Sequence, residues 1–233
     1  MALEKNRQYS ILFIGNSYTY YNDMPQVFFS AAANAAGYDR VMVKAVTKGG
    51  YYLEAHADEN DEIGALVAQA LGEQQYDYVV LQEQSVLPAA DPERFFRAAR
   101  SITRKVRKNG AKLVFYCTWG RKTGHPVLSE INMNHDSMTL ALKASYTAIA
   151  KEQDGLVAHV GSAFHEIYTT YGDTIDVYHT DFTHPSQIGS YLAALTIFGT
   201  IVGVDPRTIP YDGPVSPETA AILKQAAYNA IQQ

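Results

Sequence analysis

The feature that most constrains the fold is a short apolar run, Ile-Leu-Phe-Ile at residues 11–14, which stops at Gly15 and is followed by Ser17. Short runs of β-branched and aromatic residues are typical of buried strands. Gly15 and Asn16 tolerate the backbone conformations that a sharp exit from a strand requires. A helix is expected to begin near Pro25, because proline is favoured in a first helical turn. Ser17 is therefore predicted to lie at the carboxyl end of a strand, where open α/β sheets bind their ligands.

Strand-like and helix-like segments alternate along the rest of the chain, which predicts an α/β fold with a mostly parallel sheet. The further strands are predicted at residues 40–46, 78–81, 112–118 and 156–160. The helices that follow are predicted at residues 62–74, 92–109, 134–152, 162–171 and 186–202, with a last helix from Ser216. No repeat, low-complexity tract or linker interrupts the pattern. A single domain over residues 1–233 is expected.

Composition excludes several classes of function. The chain has 233 residues, 47% of them hydrophobic, which suits one sizeable core. The net charge is -5, and the densest basic stretch, residues 100–108, lies on a predicted amphipathic helix, as is typical of a solvated face. We therefore expect no nucleic-acid partner. The single cysteine, Cys117, excludes an intramolecular disulfide and is predicted to be a buried thiol.

The chain also lacks the sequence features of export and membrane insertion. The first residues contain no long apolar core of a signal peptide, and no stretch approaches the length needed to cross a bilayer. These observations predict a cytoplasmic protein with no membrane partner. Nothing in the sequence marks an interface, so the oligomeric state stays open.

A carboxylate and an imidazole, Asp181 and His184, stand three residues apart near the end of the chain. This spacing places both side chains on one side of a turn, so the carboxylate can orient the ring. A serine nucleophile needs such a base, and the base needs an orienting group. We predict Ser17 as nucleophile, His184 as general base and then acid, and Asp181 as the orienting group, with no metal or organic cofactor. In the alternative, His179 joins Asp181 and His184 as a metal ligand, but Ser17 is then unexplained.

Three segments resemble the sequence blocks of a known family. Gly-Asn-Ser-Tyr-Thr at residues 15–19 resembles the first block of the SGNH (GDSL-type) hydrolases, with asparagine where aspartate is commoner. Gly-Gly at residues 49–50 resembles the second block, and Asp-Phe-Thr-His-Pro at residues 181–185 resembles the last. The overall pattern is most similar to an uncharacterised bacterial branch of SGNH-like proteins. The resemblance implies a three-layer α/β/α sandwich with a flavodoxin-like, about five-stranded sheet.

The same resemblance implies an oxyanion hole, formed by the backbone N–H groups of Ser17 and Gly50 and a side-chain amide from the third block. The family usually has Gly-x-Asn-Asp there, whereas this chain has Gln-Glu-Gln-Ser at residues 82–85. Simple register makes Gln84 the donor. A Gln-Gly-Glu-Ser stretch in some carbohydrate acetylesterases of the superfamily makes Gln82 the donor instead. A glutamine amide can donate the same hydrogen bond, so both assignments stay open.

The predicted reaction is hydrolysis of an ester through an acyl-enzyme. Aromatic faces with polar tips suit sugars, so Tyr18, Tyr51 and Trp119 are predicted to bind substrate, and an acetylated carbohydrate or another small ester is the first choice. Two alternatives are a non-catalytic glycan-binding module on the same scaffold and a lipase or thioesterase. Arg121, after the fourth predicted strand, either binds an anionic substrate group or forms a surface ion pair.

Overall fold

Five parallel strands form the centre of the fold. The computed structural model describes residues 4–233, and the sheet has the order β2-β1-β3-β4-β5. Every neighbouring pair of strands is parallel, which confirms the predicted α/β fold. The strands are β1 (Tyr9–Gly15), β2 (Val41–Thr47), β3 (Tyr78–Leu81), β4 (Lys112–Tyr116) and β5 (Leu156–Ala158).

Both faces of the sheet are buried. Successive side chains of a strand point to opposite faces, so Ile11 and Phe13 enter one apolar core while Leu12 and Ile14 enter the other. Because helices cover both faces at β1, β3 and β4, these strands read as nearly continuous apolar runs rather than as alternating ones, whereas the edge strand β2 alternates between exposed and partly buried residues. The result is the three-layer α/β/α sandwich that the sequence predicts.

Helices of very different length connect the strands. The short ones, of four to six residues, are α1 (Ser17–Tyr20), α2 (Ser30–Ala35), α3 (Leu53–Ala57), α5 (Leu87–Ala90) and α7 (Pro126–Glu130). The long ones are α4 (Glu62–Glu73), α6 (Pro92–Asn109), α8 (His135–Glu152), α9 (Val160–Tyr171), α10 (Gln187–Val202) and α11 (Pro217–Ile231). A single π-helical turn, Pro25–Phe29, precedes α2 where a helix start is predicted. The sequence reveals the long helices but not α3, α5 or α7, which are too short to show helical periodicity.

Two predicted strands end earlier than expected. β4 stops at Tyr116 rather than at residue 118, and β5 stops at Ala158. Val160, predicted as the end of a strand, is the first residue of α9. Residues 157–160, Val-Ala-His-Val, run from the strand into the helix, so their composition alone does not mark the boundary.

The strand order sets the position of the functional residues. β1 lies between β2 and β3. The connection after β1 therefore runs to one side of it, where β2 lies, whereas β3 pairs with β1 on the other side. The loops after β1 and β3 therefore diverge at the carboxyl edge of the sheet. Open α/β sheets of this strand order bind ligands in the crevice at this switch point. Ser17 and residues 82–85 follow these two strands.

Several predictions about composition can be compared with the structure. Cys117 is buried, and burial raises the pKa of its thiol to about 12. On the basic face of α6, Arg100 pairs with Glu152 and Lys105 with Glu59, as expected for a solvated helix face. Across residues 4–233, no helix combines the length and the apolar character that crossing a bilayer requires.

Candidate active site

Ser17, His184 and Asp181 form a hydrogen-bonded chain at the carboxyl edge of the sheet. His184 Nδ1 lies 2.6 Å from Asp181 Oδ2, and His184 Nε2 lies 2.8 Å from Ser17 Oγ. A carboxylate only accepts hydrogen bonds, so Nδ1–H donates to Asp181 and Nε2 accepts from the serine hydroxyl. This tautomer is the one in which an imidazole can remove a proton from the serine. The structure thus brings the three predicted catalytic side chains together.

The turn that carries the acid and the base is held by the acid itself. Asp181 Oδ1 accepts hydrogen bonds from the backbone N–H groups of Thr183 and His184, at 3.0 and 2.9 Å. Desolvation acts to raise the pKa of Asp181, but the hydrogen bonds from the His184 ring and from these two backbone groups outweigh it and lower the pKa. The carboxylate is therefore ionised at neutral pH, as an orienting group must be. Phe182 adopts φ 62°, a strained conformation for a non-glycine residue.

Two tyrosines next to the nucleophile enclose the His184 ring. Tyr21 stacks on it with ring centroids 4.4 Å apart and an interplanar angle of 12°. Tyr18 contacts it in a tilted arrangement at 5.6 Å. These contacts restrict rotation of the imidazole about its side-chain bonds. The orientation of the His184 ring is therefore held by the two tyrosines as well as by its hydrogen bonds to Ser17 and Asp181.

The backbone around Ser17 is held by Asn16 and Gln82. Asn16 caps α1 by accepting from Tyr18 N at 3.1 Å, and its amide donates to the Tyr51 carbonyl at 3.0 Å. Gln82 Oε1 accepts from Asn16 N at 2.8 Å. A Cβ added at Gly15 would lie 2.5 Å from that oxygen, so glycine is required for the Gln82 amide to reach the turn. Aspartate in place of Asn16 could not donate to Tyr51.

The backbone groups predicted for the oxyanion hole are available. Within the described residues, the N–H groups of Ser17 and Gly50 donate to no loop or cap acceptor. Gly50 has φ 74°, while a Cβ there would meet nothing within 4 Å. Glycine is thus needed at this position for its backbone conformation and not for space. The Asn16–Tyr51 hydrogen bond joins the Gly50 loop to the Ser17 turn.

The two glutamines of the third block have different environments. Gln82 is 1% exposed, and both ends of its amide are committed: Oε1 accepts from Asn16 N and Thr19 Oγ1, and Nε2 donates to the Glu83 carbonyl. The Gln82 amide supports the Ser17 turn from within the core, so the geometry favours Gln84 over Gln82 as the oxyanion donor. Gln84 is partly exposed. Its Oε1 accepts from Val86 N and Leu87 N, while its Nε2 donates to none of the residues 4–233. Gln84 stays the predicted donor.

Glu83 is a buried acid that sequence reasoning missed. Its Oε1 accepts from Leu53 N at 2.9 Å and from Gln84 N at 2.6 Å, whereas Oε2 has no hydrogen-bond partner. Desolvation by burial raises the pKa of Glu83 from 4.5 to about 7. The carboxyl thus ties the helix that follows the Gly50 loop to the strand-three loop. A charged residue between two glutamines at the end of a buried strand was the only available signal.

Of the three aromatic residues predicted to bind substrate, only Tyr51 is accessible. Trp119 is 0% exposed, stacks on Phe164 and Tyr18 at 3.9 and 4.7 Å between centroids, and donates from Nε1 to the Thr183 carbonyl. Tyr18 is 3% exposed. The predictions for Trp119 and Tyr18 are therefore wrong: both rings lie in the core beneath the His184 loop. The exposed rings near the site are those of Tyr20, one of the aromatic residues that the sequence places beside the site segments, and Phe182, which the sequence did not single out.

Arg121 is not a surface residue. It is 7% exposed, its guanidinium donates to Tyr18 Oη and Ser85 Oγ, and its Nε–H is buried without a partner. No acidic residue of the described chain forms an ion pair with it. The surface ion pair considered from the sequence is therefore wrong. Arg121 instead holds the Tyr18 hydroxyl beneath the His184 ring.

The alternative metal site at the same loop is not formed. Both ring nitrogens of His184 are engaged, by Asp181 and by Ser17. His179 Nδ1 lies 3.8 Å from Asp181 Oδ2. Among residues 4–233, these three side chains are not a group whose donor atoms all lie within 4.8 Å of one another. The geometry favours the serine chemistry for which both ring nitrogens are used.

Comparison with known proteins shows which family this chain resembles. No family model and no curated protein sequence matches the chain. Among solved structures, a candidate SGNH hydrolase from Slackia heliotrinireducens is 31% identical, aligning with 84% of this chain and 100% of its own, at a TM-score of 0.73. A DUF4886 family protein from Bacteroides uniformis is 20% identical over 97% of this chain and 95% of its own, at a TM-score of 0.76. The acetyl xylan esterase AlAXEase is 14% identical over 83% of this chain and 100% of its own, at a TM-score of 0.59.

The parallel sheet and the serine, histidine and aspartate at its carboxyl edge define an α/β protein with the geometry of a serine hydrolase. With the match at 31% identity over 84% of this chain, the chain belongs to the SGNH hydrolase superfamily. AlAXEase and the DUF4886 protein share its fold.

Proposed function

We propose that this protein is a serine esterase that removes an acetyl or another short acyl group from a carbohydrate or a small ester. The observation that carries the proposal is the chain of contacts from Asp181 through His184 to Ser17, at 2.6 and 2.8 Å. A scaffold that only binds glycan has no need of an imidazole directed at a serine hydroxyl.

The proposed reaction has two stages. His184 Nε2 takes the proton of Ser17 Oγ as the oxygen attacks the ester carbonyl, and the imidazolium then protonates the leaving alcohol as the acyl-enzyme forms. In the second stage, His184 takes a proton from a water molecule as the water attacks the acyl-enzyme carbonyl. The imidazolium then returns the proton to Ser17 Oγ as the acid product leaves. Asp181 stabilises the imidazolium in both stages. The N–H groups of Ser17 and Gly50, with the Gln84 amide, hold the negative oxygen of each tetrahedral intermediate.

The preference for a carbohydrate ester rests on the surface beside the nucleophile. Tyr51 follows the Gly50 loop directly, Tyr20 places its hydroxyl over Gly49, and Phe182, whose ring is exposed, follows Asp181 in the chain. Apolar ring faces with polar neighbours are suited to sugar rings. The likeness of the fold to an acetyl xylan esterase supports an acetyl ester.

Release of p-nitrophenol from acetate, butyrate and octanoate esters tests the proposal. We expect cleavage of the acetate, a rate that falls with acyl length, and loss of the activity in Ser17→Ala. Ser85→Ala is the matched control, because Ser85 bonds Arg121 and contacts neither His184 nor Asp181. Acetate cleavage that survives in Ser17→Ala contradicts the serine mechanism. Faster cleavage of octanoate than of acetate favours a lipase or thioesterase over the proposed short-chain esterase.

A further inference from the structure

A second cluster of ionisable side chains lies outside the catalytic site, where the first turn of α8 meets α9. His135 Nε2 is 3.1 Å from His165 Nδ1, and Asp136 Oδ1 is 3.7 Å from the same His165 atom. One ligand atom from each residue lies within 4.8 Å of the other two. His135 is buried, His165 is partly buried and Asp136 is exposed, so the cluster opens to solvent on one side.

The Arg121 carbonyl determines which ring nitrogen of His135 carries the proton. His135 Nδ1 lies 3.0 Å from the Arg121 carbonyl oxygen, which can only accept, so Nδ1 carries the proton. Nε2 therefore directs a lone pair at His165. An imidazole that donates one nitrogen to a backbone carbonyl and presents the other as a lone pair has the arrangement common among metal-bound histidines.

We propose that His135, His165 and Asp136 bind a zinc ion. Two Zn–N bonds of about 2.0–2.1 Å at a tetrahedral angle place their nitrogens about 3.4 Å apart, close to the separation of the two histidine atoms. Two imidazoles and one carboxylate suit Zn²⁺, whereas Mg²⁺ prefers oxygen ligands. Asp136 forms no ion pair with a lysine or arginine of the described chain, so its carboxylate is available to the metal.

The surroundings leave room for the remaining coordination position. An open groove of about 410 Å³ borders the cluster, and its lining includes Asp136, Thr139, His165 and Thr169. A water molecule in this groove completes four-coordinate zinc. Because His135 retains its bond to the Arg121 carbonyl, the ion would join α8, α9 and the loop after β4. We therefore assign the metal a stabilising role for that loop.

Zinc binding by the purified full-length chain tests the proposal. After treatment with a chelator and its removal, titration with ZnCl₂ in a calorimeter should show one site, and zinc should raise the melting temperature where MgCl₂ does not. His165→Ala and Asp136→Asn should each weaken zinc binding by about 10-fold or more, since even residues behind a ligand affect metal affinity by 10–100-fold. Circular dichroism establishes that each variant is folded. Both altered side chains are at least partly exposed.

His179→Ala is the matched control, because His179 belongs to the other histidine and aspartate group, beside His184. Its zinc affinity should equal that of the unaltered chain, and zinc should not slow reaction of Ser17 with a fluorophosphonate. If the chain binds no zinc, the proposal is overturned, and the contact between His135 and His165 is only a hydrogen bond between two imidazoles. Binding lost in His179→Ala but kept in His165→Ala also overturns it. The readouts do not depend on ester hydrolysis, so the outcome is independent of the proposed esterase activity.

Discussion

The loop after β1 and the loop after β3 are neighbours at one edge of the sheet, yet they use polar side chains in different ways. Ser17 and its partners His184 and Asp181 bond to one another, and two of the three come from a turn more than 160 residues away in the chain. Gln82 and Glu83 bond mainly to backbone N–H groups and are almost fully buried. The first arrangement can perform chemistry, whereas the second holds the backbone that the chemistry needs. Polar residues at the end of a buried strand therefore do not all face a ligand.

The largest expected effect comes from breaking the first arrangement at Asp181. Asp181→Asn keeps the size of the side chain, but its amide no longer stabilises the imidazolium and can favour the wrong tautomer of His184. We expect ester hydrolysis to fall by about 10⁴-fold, as for the equivalent change in other triads, with the melting temperature little altered.

His179→Ala is the control for this change, because His179 lies beside Asp181 but does not touch Ser17. It should retain most of the activity. A loss of less than tenfold in Asp181→Asn would show that the ring contacts with Tyr18 and Tyr21 orient His184 well enough for catalysis without the carboxylate.

A smaller effect separates the two glutamines of the strand-three loop. Gln84→Glu keeps an oxygen that accepts from Val86 N and Leu87 N but removes the amide donor. If Gln84 holds the oxyanion, kcat should fall by about 10²–10³-fold while the melting temperature is maintained. Gln82→Leu should instead lower the melting temperature, because Asn16 N and Thr19 Oγ1 lose their buried acceptor.

Steady-state kinetics and thermal unfolding of both variants check this contrast. Unchanged kcat in Gln84→Glu would leave the oxyanion to the backbone N–H groups of Ser17 and Gly50. Unchanged stability in Gln82→Leu would contradict the supporting role that its hydrogen bonds indicate.

The smallest expected effect is on stability and concerns Glu83. Its pKa in the fold, about 7, is above the ordinary value of 4.5, so the folded chain holds this proton more tightly than the unfolded chain. The contribution of Glu83 to stability is therefore full below pH 4.5 and is lost as the pH rises through 7, by roughly 3 kcal/mol in total. Glu83→Gln mimics the protonated acid and should abolish this loss.

Urea unfolding of the unaltered protein and of Glu83→Gln between pH 4 and 8 measures this pH-dependent loss of stability. The difference between them is the quantity to compare, because His159, whose pKa burial lowers to about 4, changes stability in the opposite direction. A difference that does not vary with pH would show that Glu83 has the same pKa in the folded chain as in the unfolded chain.

Much of the fold could be predicted from the sequence, because strands buried on both faces and helices of three or more turns leave periodic apolar patterns. The pairing of Ser17 with His184 could also be predicted, since acid and base three residues apart serve little purpose without a nucleophile. The orientation of the side chains after each strand could not. The Trp119 ring turns into the core, where it stacks on Phe164. The Gln82 amide turns into the core, where it accepts a hydrogen bond from Asn16 N. Those partners are distant in the chain.

Covalent labelling shows directly whether His184 activates Ser17. The full-length chain is treated with a fluorophosphonate, and the adduct is located by peptide mass spectrometry in the unaltered protein, in His184→Ala and in Ser85→Ala. We expect one adduct, on Ser17, in the unaltered protein and in Ser85→Ala, and none in His184→Ala. No adduct on Ser17, or an equal yield in His184→Ala, would contradict it and favour a glycan-binding protein on a hydrolase fold.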